Sequence, residues 1–297
     1  MTHHHAGATD SAPLAGLRVV SIATNVPGPV AAARLRDLGA SVTKVEPPVG
    51  DFLAVAARGW YDSLCRDQRV LTMDLKDPTT HPGFDALLAE SDVLIVSSRP
   101  SALARLGLSR AAVAQRHAHL CVVSIVGHAS PDDERAGHDL TYQSEAGLVS
   151  DAMPVSLFAD LAAAESAVST CLALVLQRAR TGGGGWATVS LDDAARRLTL
   201  PRQFGLTTPD GVLGGALATY ALYAARDGIL ALAALEPHFA TRLGDRLQLD
   251  PASRAALASR LATGTVAEWV AWGLRHDVPI AAVVAAGRPP TVVSGRA

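Results

Sequence analysis

Short apolar strands alternate with helical segments over the first 200 residues, and this alternation limits the fold more than any other feature. Leu17–Ile22 is an apolar, β-branched run typical of a buried strand, and Val30–Leu38 has a helical pattern. Ser41–Glu46 is again typical of a strand. A strand, a helix and a second strand in this order form a βαβ unit, in which the strands are parallel and the crossover is right-handed.

The same alternation continues along the chain. Further helices are predicted over Pro82–Glu90, Ser101–Leu106, Arg110–His117 and Ala159–Arg180, and further strands over Asp92–Ser98, Leu120–Gly127 and Trp186–Leu191. Asp192 is predicted to cap one more helix that ends at Leu198. We therefore expect an α/β fold with a large Rossmann-like domain and a parallel sheet. No Gly-x-Gly-x-x-Gly follows the first strand, so no dinucleotide cofactor is expected.

The pattern changes after Pro201–Gly215, a segment rich in Gly, Pro and Thr that we predict to be a linker. Beyond it, Asp227-Gly228 lies between two predicted strands, which indicates a hairpin. Those strands are Tyr220–Tyr223 and Ile229–Leu235, the following helices are Phe239–Leu247, Ala252–Ala262 and Val266–Arg275, and a last strand is Val278–Ala285. The predicted organisation is a disordered lead at 1–12, a large domain at 13–200, a linker at 201–215 and a small α+β domain at 216–297.

Composition excludes several classes of function. A formal net charge of −2 provides no basic field for nucleic acid. No apolar run reaches the roughly 18 residues of a membrane span. Cys65, Cys121 and Cys171 are odd in number and widely separated, which disfavours a disulfide scaffold or a zinc site. We expect a cytoplasmic protein that binds neither nucleic acid nor membrane and has no metal site.

Three short motifs carry candidate chemistry: Gly137-His138-Asp139, Ala159-Asp160 and Glu236-Pro237-His238-Phe239. Each polar residue also has an ordinary structural interpretation. His138 could be a loop histidine, and Asp160 could be the N-cap of the long helix that follows it. Glu236 could be a first-turn acid that interacts favourably with a helix dipole. The order of the three motifs along the chain, rather than any one of them, points to an active site.

Further stretches, in the same order, resemble the class III CoA-transferase superfamily, and the three motifs resemble its α-methylacyl-CoA racemase subgroup. The matching stretches are Pro13–Val19, Gly28-Pro29, Asp37–Ala40, Lys44–Pro48, Asp74-Leu75-Lys76, Arg99-Pro100, Arg105-Leu106-Gly107, Arg178–Gly185 and Val189–Asp192. The resemblance extends from about Pro13 to Ala286. It implies a homodimer of two interlocked, ring-shaped chains, with an active site between the large domain of one chain and the small domain of the other. The sequence ends soon after Pro289-Pro290, earlier than is usual in this family, so we expect a shortened C-terminus.

The resemblance assigns His138 and Asp160 as an acid–base pair that moves the α-proton of a 2-methylacyl-CoA thioester. Glu236 of the other chain would orient the His138 imidazole, and Tyr142 would help to fix the pair. Inversion of the α-carbon needs one group on each face and donors for the enolate oxygen. Histidine titrates near neutral pH, and burial can tune a carboxylate to the same range.

Two other functions remain open at this point. In a class III CoA-transferase, Asp160 would instead attack the thioester and form a mixed anhydride. A recruited or non-catalytic member of the family is the third possibility. In either enzyme, Asn25, Lys76, Arg99 and Arg105 match the positions that the family uses for CoA, which enters as part of the substrate, and no separate cofactor is expected.

Overall fold

The computed structural model of the 297-residue chain describes residues 12–284, and the backbone divides into two compact units between Leu198 and Thr199. The predicted disordered lead lies outside the described residues apart from Ala12. The residues after position 284, which include the end of the predicted small domain, also lie outside them.

The first unit is a six-stranded parallel sheet with helices between the strands. Its strands are β1 Arg18–Ser21, β2 Ser41–Glu46, β3 Arg69–Thr72, β4 Val93–Val96, β5 Cys121–Val126 and β6 Gly185–Ser190. Its helices are α1 Pro27–Asp37, α2 Phe52–Ala56, α3 Arg58–Cys65, α4 His81–Ala89, α5 Pro100–Arg105, α6 Arg110–Arg116, α7 Asp139–Ala146, α8 Phe158–Thr181 and α9 Leu191–Leu198. The strand order is β3-β2-β1-β4-β5-β6 and every pairing is parallel. This order confirms the predicted α/β fold with a parallel sheet.

The central strands β4 and β5 are buried on both faces, as is typical of a parallel sheet. All four residues of β4 are buried, and successive side chains point to opposite sides. Val93 and Ile95 pack with α1 and α8, while Leu94 and Val96 pack with α4, α5 and α6. Burying each Val or Ile side chain contributes about 1.5–3 kcal/mol, so these runs of apolar residues fix the centre of the sheet.

Of the strands and helices named above, α2, α3, β3 and α7 were not predicted, nor was a short helical turn at Pro78–Thr80. Strand β3 lies at the edge of the sheet and is mostly exposed, so it lacks the apolar pattern of the central strands. The predicted Asp192 cap is wrong, because α9 begins one residue earlier. The Ser190 hydroxyl accepts the Asp193 N–H at 3.1 Å, and Asp192 lies in the first turn, where an acidic side chain favours the helix dipole.

Helix α8 is long and apolar enough to cross a membrane, which corrects the expectation that no segment would be. Among the helices of the described residues it alone meets this criterion. Its buried face includes Ala159, Ala163, Ala167 and Cys171, and most of that face packs into the cluster that also contains strands β1, β4 and β5. The core helix of a folded domain satisfies the same length and hydropathy test, and the packing of α8 in the first unit is of that kind.

The second unit combines an antiparallel sheet with helices. Its strands are β7 Tyr220–Ala225, β8 Gly228–Ala233 and β9 Ile280–Ala282, and its helices are α10 Leu200–Gln203, α11 Pro237–Leu247, α12 Arg254–Leu261 and α13 Val266–His276. The hairpin register pairs Ala225 with Gly228, so the turn residues are Arg226 and Asp227. Within the predicted linker, α10 and a short helical turn at Val212–Ala216 replace irregular chain.

Candidate active site

A cavity of about 270 Å³ opens at the carboxyl ends of β1, β4 and β5. The strand order reverses between β1 and β4, and open α/β sheets bind their ligands at such a switch point. Thr24 and Asn25 follow β1, Ser97 and Arg99 follow β4, and Gly127 follows β5. The site residues His138, Tyr142 and Asp160 line the same cavity.

His138 is held at this cavity through its backbone. It immediately precedes α7, where its N–H donates to the Thr141 hydroxyl at 3.1 Å. The His138 carbonyl accepts the Thr141 N–H at 2.8 Å and the Thr141 hydroxyl at 2.7 Å. These bonds cap the helix and fix the chain, while the His138 residue as a whole is exposed at the rim.

Asp160 lies in the first turn of α8, but it is not the N-cap of that helix. The cap comes from α7: the Asp139 carboxylate accepts the Asp160 N–H at 3.0 Å. Burial, and then the charge of Asp139, raise the pKa of the Asp160 carboxyl to about 7. No hydrogen bond to the Asp160 carboxyl is formed by residues 12–284, so the group is available to a ligand in the cavity.

The Tyr142 ring is packed between two glycines. A Cβ on Gly127 would lie 2.3 Å from the Tyr142 hydroxyl, and a Cβ on Gly137 would lie 2.6 Å from both the hydroxyl and a ring carbon. The His128 ring packs edge-on to Tyr142, with centroids 5.2 Å apart. In the described part of the chain the hydroxyl has no hydrogen-bond partner. Burial, and then the charge of Asp160, raise the pKa of Tyr142, so it is a neutral donor that lines the cavity.

The four predicted CoA-contact residues separate into two groups. Asn25 and Arg99 line the cavity, whereas Lys76 and Arg105 are exposed and do not. The sequence also failed to identify Arg135, an exposed cation at the cavity that pairs with Glu145. The signal available for Arg135 was its position in a charged loop after the carboxyl end of a buried strand.

A buried ion cluster supports the loop that carries Asn25. The Lys44 ammonium lies 2.7 Å from both the Glu46 and the Asp51 carboxylates, and the Asp51 side chain is fully buried. Burial alone would lower the pKa of Lys44, but hydrogen bonds to Asp51 and Glu46 outweigh it and raise that pKa. Asp51 also accepts the N–H of Asn25 at 3.2 Å and of Leu53 at 3.0 Å. Asn25 is thereby held in a left-handed conformation with φ of 70°.

Glu236 lies in the second unit, where it is the exposed N-cap residue of α11 and makes no side-chain capping bond. Its role beside His138 stays a prediction. A possible metal-ligand group, His128, Glu145 and Asp192, has one ligand atom per residue within 4.8 Å of the others. Arg135 and Arg196 already pair with the two carboxylates, which leaves little negative charge for a cation.

Comparison with known proteins identifies the family. Residues 14–288 match the sequence model of CoA-transferase family III. The chain belongs to this family. Its structure resembles that of a CAIB/BAIF family protein from Brucella suis, with a TM-score of 0.78 and 24% identity, over 93% of this chain and 85% of that one. The resemblance expected from the sequence motifs is thereby confirmed.

Relatives within the family catalyse two kinds of reaction on CoA thioesters. The chain is 27% identical to human alpha-methylacyl-CoA racemase, over 86% of this chain and 74% of the racemase. It is 31% identical to mouse succinyl-CoA:glutarate CoA-transferase, over 58% of this chain and 44% of the transferase. Against several CoA-transferases the match spans less than half of the relative's own length.

Proposed function

We propose that this protein is an acyl-CoA racemase or epimerase that moves the proton on the α-carbon of a 2-methylacyl-CoA thioester. The observation that carries the proposal is a carboxyl with a pKa of about 7, Asp160, in one cavity with His138. A general acid–base group works best when its pKa is near the operating pH. Asp160 would then exchange a proton near neutral pH, and His138 in the same cavity would provide the second group that inversion of one carbon requires.

In the proposed reaction, Asp160 or His138 removes the α-proton and the other group returns a proton to the opposite face. The electron pair of the broken C–H bond moves to the thioester oxygen, which becomes an enolate. The Tyr142 hydroxyl, a neutral donor at the cavity, would stabilise that oxygen. Arg99 and Asn25 would contact the CoA portion, and Glu236 of a second chain would orient His138.

A CoA-transferase is the second candidate, because several relatives are CoA-transferases. In that reaction the ionised Asp160 carboxylate would attack the thioester carbonyl and release CoA as the thiolate. Burial and the charge of Asp139 raise the pKa of this carboxyl, which favours its protonated form over the nucleophilic carboxylate. That state suits proton transfer better than nucleophilic attack.

The test is exchange of the α-proton of 2-methylacyl-CoA in heavy water, followed by NMR for wild type and for His138→Ala. We expect exchange without any acceptor acid and a loss of about 100-fold or more in the variant, since general acid–base catalysis contributes roughly 10²–10⁴-fold. Leu274→Ala, a change at an exposed side chain of the second unit, is the control.

Mass spectrometry of the intact protein distinguishes the alternatives. Exchange that appears only with an acceptor carboxylate, together with an acyl or CoA adduct on Asp160, would replace the racemase proposal by the transferase. Absence of CoA binding in calorimetry would favour a recruited or non-catalytic protein.

A further inference from the structure

We propose that Asp139 is a positioning residue that controls Asp160, both by fixing its backbone and by placing a second carboxylate beside its carboxyl group. This inference rests on the proposed acid–base role of Asp160. Asp139 is the third residue of the Gly137-His138-Asp139 motif, and the reaction described above does not use it. It is buried, with an exposed fraction of 7%.

The first part of the argument is the position of the backbone. One oxygen of Asp139 accepts the Asp160 N–H at 3.0 Å, across 21 residues of sequence. The other oxygen accepts a short hydrogen bond from the Gln143 amide, which also donates to the Ser156 carbonyl at 3.0 Å. The Asp139 carboxylate, together with the Gln143 side chain, therefore connects α7 to the start of α8 and to the chain before α8.

The second part of the argument is which of the two carboxylates interacts with the N-terminus of α8. The free N–H groups and dipole at a helix N-terminus stabilise an anion, which would hold a first-turn carboxylate ionised. Asp139 occupies this position by accepting the Asp160 N–H. The Asp160 carboxyl is left with burial and a neighbouring negative charge, and both favour its protonated form.

Other charged and titratable groups line the cavity with Asp160, and they must be considered in any pH dependence. Those at the cavity are His138 and Tyr142 at α7, Arg99 after β4, and Asp133 and Arg135 in the loop before α7. Burial is the largest cause of the raised pKa of Asp160, and Asp139 is the charge that adds to it. Asp139 is therefore the residue whose neutralisation is expected to change the titration of Asp160.

Asp139→Asn separates the two effects, because an asparagine oxygen keeps the bond from the Asp160 N–H while the negative charge is lost. The Gln143 amide nitrogen faces the position of the new asparagine NH2, so the Gln143 amide must rotate by about 180° to accept this bond through its oxygen, which is buried without a hydrogen bond in the described structure, at the cost of its bond to the Ser156 carbonyl. The variant is expected to fold. Asp139→Ala removes the charge and the cap together and reports the structural contribution.

The experiment is a carboxyl titration of the full-length protein with ¹³C-labelled aspartate, followed by NMR. The Asp160 signal is assigned from its loss in Asp160→Asn. We expect the midpoint of Asp160 to fall by about one pH unit or more in Asp139→Asn, the size of shift typical of one nearby charge. The rising limb of the exchange rate against pH should move by the same amount.

Glu165→Gln is the matched control. It removes one carboxylate from the same helix, where Glu165 is exposed and pairs with the exposed Arg34 at 3.1 Å. We expect no shift of the Asp160 midpoint in this variant. An equal midpoint in wild type and Asp139→Asn would overturn the inference, because burial alone would then explain the titration. Titration does not depend on turnover, so a shifted midpoint with no proton exchange would contradict only the proposed function.

Discussion

At the scale of single residues, the environment of Asp160 depends on one contact, the bond from its N–H to the Asp139 carboxylate. His138 and Asp160 were singled out from short motifs, and both line the cavity. The alternative interpretation of Asp160 as a helix cap is wrong, because the cap is the side chain of Asp139. A bond that spans 21 residues depends on how two helices pack, and no local pattern records it.

The protonation of Asp160 has a consequence for stability. Its carboxyl has a pKa of about 7 in the folded chain and about 3.9 in an unfolded one. Between these values the folded state binds more protons, so this group makes the free energy of unfolding fall as pH rises. The Asp160 carboxyl lowers the free energy of unfolding most above pH 7.

Asp160→Asn is therefore expected to stabilise the protein at pH 8 while abolishing activity. With allowance for partial solvent exposure, we expect a gain of about 2 kcal/mol in the free energy of unfolding at pH 8 and little change at pH 4. Urea denaturation of both proteins at the two pH values measures this difference. If the difference in unfolding free energy between Asp160→Asn and wild type were the same at pH 4 and at pH 8, the Asp160 carboxyl would have an ordinary pKa.

At the scale of elements, the sequence predicted the strands and helices that have regular apolar patterns and buried side chains. The central strands and α8 carry continuous apolar patterns, and β2 was predicted at its observed bounds. Helix α7 was missed because it has no continuous apolar face: of its three buried residues, Asp139 and Gln143 are polar and the third is Tyr142. The short and partly exposed α2, α3 and β3 were missed because most of their side chains are polar or face solvent.

Tyr142 of α7 contacts Gly127 and Gly137 in different ways, so we expect different effects of Tyr142→Phe on alanine substitutions at these two glycines. At Gly127 the close atom is the Tyr142 hydroxyl, at 2.3 Å, while at Gly137 two ring carbons also lie within 2.7 Å. Each Gly→Ala change should cost about 1–3 kcal/mol by overpacking. Tyr142→Phe removes the hydroxyl, so it should relieve Gly127→Ala by about 0.5 kcal/mol or more and leave Gly137→Ala unrelieved.

Two double-mutant cycles, with unfolding free energies from denaturant titration, measure this difference. Neither glycine has a positive φ, so alanine adds a side chain without straining the backbone. Equal coupling in both cycles would mean that the ring, rather than the hydroxyl, limits the space beside Gly127.

At the scale of the whole molecule, each unit has its own apolar core, and the first residues of the second unit expose apolar side chains. Leu200, Phe204, Leu206 and Val212 are all exposed, Phe204 by 84%. Surface exposure of several apolar side chains in one segment is typical of a region that another chain covers. The predicted homodimer would provide such a chain.

We expect light scattering to give about 61 kDa for the wild type, twice the mass of the 30.7 kDa chain. Phe204→Asp should lower the measured mass towards that of one chain at micromolar concentration, because a buried unpaired charge destabilises an interface. Val49→Asp, a change at a side chain of the first unit with 92% exposure, is the control. A wild-type mass of one chain would contradict the predicted dimer, and an unchanged Phe204→Asp mass would exclude this segment from the interface.

The Lys44 cluster also restricts how this protein can evolve. One buried lysine, Lys44, pairs with the two carboxylates of Glu46 and Asp51, so loss of Lys44 leaves two buried carboxylates without a cation and costs about 3–5 kcal/mol. Replacement of Lys44 alone is thus strongly destabilising, whereas simultaneous replacement of the cluster by well-packed apolar residues is not. Since Asp51 also holds the loop of Asn25, descendants of this chain should either keep Lys44 together with Asp51 or exchange them together with a new way of building that loop.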